Sequence, residues 1–327
     1  MSSVVMQQRA GAAPEPRKHE KFEQLLEKAK SLPKLSVAVA HPCDQASLGG
    51  ALEAASIGLI APILVGPPAK IANCAASLKA DISAFPIVEA EHSHDAAEKA
   101  VECVRAGRAE AVMKGSLHTD ELMGAVVSRQ AGLRTARRIS HCFVMDVPGH
   151  PTPLIVTDAA INIAPTLDEK RDIVQNAIDL AHALTGAEVK VAILSAMETV
   201  NADVPSTVEA AALCKMADRG QIVGAILDGP LALDNAIDHD AAKIKNINSP
   251  VAGRANVLVV PDLEAGNVLA KSLTFLAGAD AAGIVLGAKV PIILTSRADS
   301  RTTRLASCAV ASLLAHARRS SLQAVRS

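Results

Sequence analysis

The chain has 327 residues, half of them hydrophobic and a fifth charged, which leaves room for about two domains and excludes a largely disordered polymer. Lys and Arg (33) nearly cancel Asp and Glu (34), and four Phe are the only aromatic residues besides His. No global field draws polyanions and no aromatic surface stacks bases or anchors at a lipid interface, so neither nucleic acid nor membrane is an expected partner.

Residues 1–16 read as a disordered tail. Phe22, Leu25, Leu26 and Ala29 then fall at helical spacing among charges, up to the stop at Pro33. Short apolar runs at Leu35–Ala40, Pro62–Val65, Phe85–Val88 and Ala111–Met113 alternate with helix-length stretches. That alternation predicts buried parallel strands with crossover helices. The rhythm changes at Ile139–Val147 and Thr152–Asp158, two strand-like runs joined by Pro148-Gly149-His150-Pro151, which read as a hairpin opening a second unit. Thr166-Leu167-Asp168-Glu169 has the spacing of a capping box with Gly186 as its helix stop, and Ser206-Thr207-Val208-Glu209 repeats the spacing. Val189–Leu194, Ile222–Leu227, Val257–Val260 and Ile284–Leu286 supply further strands.

The six Cys stand apart with no zinc spacing, which fits a reduced, cytoplasmic setting. No apolar run reaches the length of a membrane span. His92-Ser93-His94 among acidic residues lacks a third ligand at a recognised spacing, so no metal is expected. Dinucleotide fingerprints, P-loops and serine elbows do not occur.

Ligands of parallel sheets bind beyond the carboxyl ends of strands. Polar residues follow the strand-like runs at Lys114-Gly115-Ser116, Asp228-Gly229-Pro230, Asp262 with Glu264 to Asn267, and Thr295 to Ser300. The last group combines a hydroxyl, a guanidinium and a carboxylate at an expected helix start, where free N–H groups suit phosphate. Ser300 or Asp299 also has the chemistry of a plain helix cap.

These residues resemble the phosphate acetyltransferase and phosphate butyryltransferase family from about residue 34 to 315. The resemblance rests on Met113-Lys114-Gly115 with Thr119, Gly132-Leu133-Arg134-Thr135, Thr157 through Pro165, Pro205-Ser206-Thr207, Lys215 through Gln221, Leu227 through Ala232, Leu263 through Asn267 and Leu294 through Ser300. It implies a fold similar to isocitrate and isopropylmalate dehydrogenases, with two parallel-sheet α/β domains around a cleft. The expected division is 17–138 with 296–327 for the first domain and 139–295 for the second. It also implies a homodimer that moves a short acyl group, acetyl ahead of butyryl, between CoA and orthophosphate in a ternary complex. CoA and phosphate are substrates, and neither cofactor nor metal is implied. On that resemblance Ser296, Arg297 and Asp299 are catalytic, while Lys114, Gly115, Thr119, Arg134, Asp228 and Asn267 bind phosphate or CoA. The chain departs from acetyl-type members at Thr303, where they carry an Asp, and at Met123, where they carry an Arg. Asp299 is the expected substitute base, with the cap reading beside it. A CoA-binding regulator without turnover is the alternative from another class.

Overall fold

The computed structural model describes residues 19–295 and 299–326, with side chains through Ser320. The expected tail at 1–16, and Ser296 and Arg297, lie outside the described residues.

The first half builds α1 (Glu20–Lys30), β1 (Leu35–Ala40), α2 (Gln45–Ser56), β2 (Ile60–Gly66), α3 (Pro68–Leu78), β3 (Ile87–Glu89), α4 (Ser93–Arg105), β4 (Ala111–Lys114) and α5 (Thr119–Val127). β5 (Ser140–Asp146) and β6 (Leu154–Thr157) form the expected antiparallel hairpin. Then follow α6 (Leu167–Thr185), β7 (Lys190–Leu194), α7 (Pro205–Asp218), β8 (Ile226–Leu231), α8 (Leu233–Ile237), α9 (His239–Ile244), β9 (Val257–Val259), α10 (Leu263–Phe275), β10 (Asp280–Leu286), β11 (Ile292–Ile293) and α11 (Arg301–Arg326).

All the strands join one mixed sheet, ordered β3-β2-β1-β4-β11-β10-β5-β6-β9-β7-β8. Pairing is parallel within each half and antiparallel only where β10 and β5 join them. The strands of the second half therefore run opposite to those of the first. One apolar cluster continues across the whole of one sheet face, because α1, α2, α6 and α11 all pack there, with Phe22, Leu25, Ile178 and Val310 completely or nearly buried. The other face carries two separate clusters, one under α4 and α5 and one under α8 to α10. Their boundary crosses β10 and β5 at Gly283 and His141, since Val285 belongs to the first cluster while Met145 and Ala281 belong to the second.

Three local expectations fare differently. Thr166 and Glu169 form the capping box of α6, and Gly186 ends it in the left-handed conformation. Around α7 no box forms. The helix begins at Pro205, Thr207 Oγ1 donates to the Asn201 and Val204 carbonyls, and Glu209 pairs with Lys170 on α6. Proline presets the first turn, so Ser206, the expected cap, falls inside the helix with its Oγ 2.8 Å from Ser195 Oγ. The strand expected at Ile222–Leu227 lies at Ile226–Leu231 instead, so Asp228-Gly229-Pro230 is inside β8 and not beyond it. β8 is an edge strand, where a missing N–H does not break a ladder.

α1 has no side-chain cap of its own. Its first N–H groups, those of Lys21 and Phe22, both donate to Asp146 Oδ2 at 3.0 Å, and Lys21 Nζ reaches Asp146 Oδ1 at 3.0 Å. A buried carboxylate at the end of β5 thus caps a helix more than a hundred residues away. Asp146→Ala strands a buried ammonium and two helix donors, so it is expected to cost about 3–5 kcal/mol; a thermal unfolding midpoint equal to wild type would contradict the assignment. No helix among the described residues is long and apolar enough to cross a membrane.

Candidate active site

The register places strand ends from both halves on one line. Met113, Ile293, Ile284, Cys142, Thr157 and Val259 lie side by side across the sheet. Beyond that line the first half continues upward as Lys114 and Leu294, and the second half downward as Asp158 and Val260. Two groups of residues result. They stand four strand intervals apart, roughly 19 Å at ~4.8 Å per strand.

The first group surrounds Lys114, half-buried at the end of β4. Gly115 N donates to Ala40 O at 2.9 Å, and Ser116 N donates to His41 O at 2.8 Å, which extends the β1–β4 ladder past the strands. The Ser116 hydroxyl donates to His41 O at 2.8 Å, accepts from Cys43 N at 3.2 Å and lies 3.0 Å from His41 Nδ1. Burial lowers the His41 pKa below the usual imidazole range. Gly115 has no space for a side chain, because a Cβ would sit 2.2 Å from Ala40 O and 2.5 Å from His41 O. Thr295 Oγ1 donates to Lys114 O at 3.5 Å, so the segment leading to Ser296 and Arg297 leaves β11 beside Lys114. Lys114, Gly115 and Thr295 line a narrow crevice with Asp44, Ser47 and Arg304.

Arg304 was not apparent from sequence. It lies one turn into α11, its Nη1 donates to Asp299 O at 2.7 Å, and its Nε is buried without a hydrogen-bond partner among the described residues. A single Arg in an amphipathic helix carries no signal by spacing; only the fold turns it toward the crevice. Ser300 supplies the cap of α11, its Oγ accepting from Thr303 N at 3.1 Å. Thr303 is buried and closes the same turn through its hydroxyl, 3.1 Å from Ser300 Oγ. Met123 is a core residue on the buried face of α5. Thr119 is exposed in the first turn of α5. His92 caps α4 by accepting from Asp95 N, and His94 pairs with Glu121.

The second group gathers around the loop after β6. Asp158 Oδ1 accepts from Ala160 N and Ile161 N at 3.0 Å, and its Oδ2 accepts from Asn162 Nδ2 at 2.6 Å. Asn162 Oδ1 accepts from Arg138 Nε at 2.6 Å. This network fixes one wall of a cavity of about 300 Å³ that Arg134, Arg137 and Arg138 line. Arg134 is exposed and bridges to Ala288. Asn267, in the first turns of α10, donates to Ala159 O at 3.4 Å, and a Cβ on Gly266 would press to 3.0 Å from Ala159 Cα. The sequence blocks 157–165 and 263–267 therefore meet. Asp228 joins neither group: on β8, at the sheet edge, it accepts from Gly229 N at 2.8 Å.

Between the groups, on the face where the two clusters part, stands His141. It is 2 % exposed, its ring packs against Phe143 with centroids 4.4 Å apart, and its Nδ1 has no partner among the described residues. Burial pushes its pKa down to about 4 against the opposing charge of Asp158, so the ring is neutral at pH 7. Gly283 makes the space, since a Cβ there would lie 3.1 Å from His141 Nε2 and 3.0 Å from Leu294 O. Sequence reasoning passed over His141 because an isolated His in an apolar strand has no motif.

Comparison with known proteins gives the chain a family. Residues 90–312 match the family model described as phosphate acetyl/butaryl transferase. The chain is 65% identical over 304 residues to a phosphate acetyltransferase of Rhizobium meliloti, covering 93% of this chain and 96% of that protein. It is 41% identical over 294 residues to the phosphate butyryltransferase of Clostridium acetobutylicum, covering 90% and 98%. Among solved structures, a phosphotransacetylase from Streptococcus pyogenes superposes with a TM-score of 0.79 at 22% identity, covering 90% of this chain and 98% of that one, which is a likeness of fold. The chain belongs to the phosphate acetyl/butaryl transferase family.

Proposed function

We propose that the chain transfers a short acyl group, acetyl foremost, between CoA and orthophosphate in a ternary complex. The observation that carries this reading is the pairing of β11 with β4. Ile293 lies opposite Met113, so Lys114 and the segment that continues into Ser296-Arg297 leave the sheet side by side. Lys114 and Arg304 beside one glycine-lined strand end, with Ser296 and Arg297 next in sequence after Thr295, suit a phosphate dianion and a thioester together.

In this mechanism Arg297 holds phosphate by two parallel hydrogen bonds while Lys114 and Arg304 add charge. A phosphate oxygen attacks the thioester carbonyl. Ser296 donates to the developing oxyanion, the C–S bond breaks, and its electron pair leaves on the CoA sulfur. Holding both reactants together supplies most of the acceleration, because their entropy is lost on binding. In reverse, Asp299 accepts the thiol proton; Ser300 caps α11, and Thr303 cannot titrate. Gly115 and Thr119 frame the phosphate side, and Arg134 with Asn267 the CoA side. CoA spans the distance between the groups.

The same reading divides the chain into 17–138 with 296–327 and 139–295, with the site in the cleft over His141. It also makes the enzyme a cytoplasmic homodimer. Val268, Phe275 and Leu276 on and after α10, all well over half exposed, support a protein partner on that face.

The deciding experiment is thiol release from acetyl-, propionyl- and butyryl-CoA with and without phosphate. Phosphate-dependent release, fastest with acetyl-CoA, is expected. Saturable CoA binding with no phosphate-dependent release would instead identify a regulator. Burial raises the pKa of all six cysteines, with Cys142, Cys214 and Cys308 pushed up to about 12, so protein thiols contribute little background in the native state.

A further inference from the structure

A cavity of about 710 Å³ opens on the face of the sheet opposite His141, between α6, α11 and the end of β10. Its wall on α11, Leu314 to Arg318, lies 13 to 17 residues beyond the start of that helix, roughly 20–26 Å from the Thr295–Ser300 segment at ~1.5 Å per residue. A second cavity of about 400 Å³ adjoins it, and Lys289 and Arg318 line both.

The charge of this region is unbalanced. The two walls carry five cationic side chains, Arg105, Arg137, Lys289, Arg318 and Arg319, against two carboxylates. Both carboxylates are engaged, Asp179 by Arg137 at 2.5 Å and Glu110 by Arg319 at 3.1 Å. Arg318 is half-buried, and its one hydrogen bond among the described residues is a long one, 3.4 Å to Ala288 O. No carboxylate lies within ion-pair distance of Arg318, Lys289 or Arg105 among the described residues. Burial, reinforced by the charge of Arg137 and offset in part by Asp179, holds the Arg318 pKa below the usual guanidinium range. A guanidinium partly withdrawn from water, with no carboxylate at ion-pair distance, is costly unless an anion completes it.

The rest of the larger cavity sets an aliphatic surface of Ala183, Ala288, Leu314 and Ala317 beside the polar Thr135 and Asn176. Apart from the His182 ring it offers no aromatic surface on which a base could stack.

We propose that this cavity is a second ligand site, remote from the Lys114 end of the acyl-transfer site and sharing only Arg137 with the cavity beside Arg134, for a small dianion with a short aliphatic body, its anionic head held by Arg318 and Lys289. The guanidinium fork matches a phosphate monoester or a carboxylate, with Lys289 as the second charge. The site neither requires nor presupposes the acyl-transfer reaction.

The test is calorimetric titration of n-butyl phosphate and of glutarate into the wild-type protein and three variants. Arg318→Gln and Lys289→Gln are expected to weaken binding of the preferred probe at least about tenfold, with phosphate-dependent thiol release unchanged within about twofold in the absence of probe. Lys289 is exposed, so its variant reports even if Arg318→Gln folds poorly. Lys114→Gln is expected to leave probe binding intact. Which probe binds more tightly distinguishes a phosphate-bearing from a dicarboxylate ligand. The proposal is overturned if neither probe binds at about 10 mM, or if binding survives both Arg318→Gln and Lys289→Gln; loss in Lys114→Gln would then place it at the acyl-transfer site.

Discussion

Gly115→Ala is expected to lower the acyl-transfer rate at least about 100-fold and to destabilise the fold by about 3 kcal/mol or more. The methyl group would stand 2.2 Å from Ala40 O and 2.7 Å from the His41 carbonyl carbon, both backbone atoms that cannot rotate away. Only separation of β1 from β4 makes room, at the point where the Gly115 and Ser116 N–H groups hold the two strand ends together. Overpacking a rigid contact typically costs 1–3 kcal/mol and sometimes more, and a displacement near 1 Å at the Lys114 backbone is enough to lose about two orders of magnitude in rate. For a chain of this size the melting temperature should fall by at least ~5 °C. A variant that melts and turns over like wild type would show that the β1–β4 junction does not shape the phosphate site.

Arg297→Ala should reduce kcat/KM for phosphate-dependent thiol release by about 1,000-fold, equivalent to ~4 kcal/mol of transition-state stabilisation. A planar guanidinium aligns two phosphate oxygens at once, whereas the ammonium of Lys114 is a point charge that attracts without orienting. Arg297→Lys is therefore expected to recover phosphate affinity more than turnover. Titration of phosphate at saturating acetyl-CoA separates the two, and wild-type kcat in either variant would remove Arg297 from the proposed mechanism.

The parts of the fold legible in sequence were those with local causes. The buried parallel strands of the first half announced themselves as apolar runs bounded by Gly, Pro or charge, and the capping box at Thr166 and the hairpin at 139–158 follow from contacts within a few residues. Where a local signal met a non-local competitor, the reading failed. Ser206 left its capping pattern for Ser195, Glu209 left it for Lys170, and Asp228-Gly229-Pro230, expected beyond a strand end, lies inside an edge strand. The site residues divide the same way. Lys114 and Asn267 stand next to strand ends and helix starts and were visible there, whereas Arg304 and His141 acquire their surroundings only from other elements.

Taken alone, the sequence determined the element types, the aliphatic character of the core, the family and the set of polar segments at strand ends, because each depends on residue chemistry within a short window. The tertiary structure alone decided that the strands share one sheet, that the two halves run in opposite directions, and that their ends meet on a single row from Met113 to Val259. It also decided that Asp146 caps α1 and that Arg318 faces a cavity whose one carboxylate, Asp179, is paired with Arg137. These outcomes depend on register and on contacts between residues far apart in the chain, and shifting a strand by one residue would move its side chains to the other face without changing any local pattern.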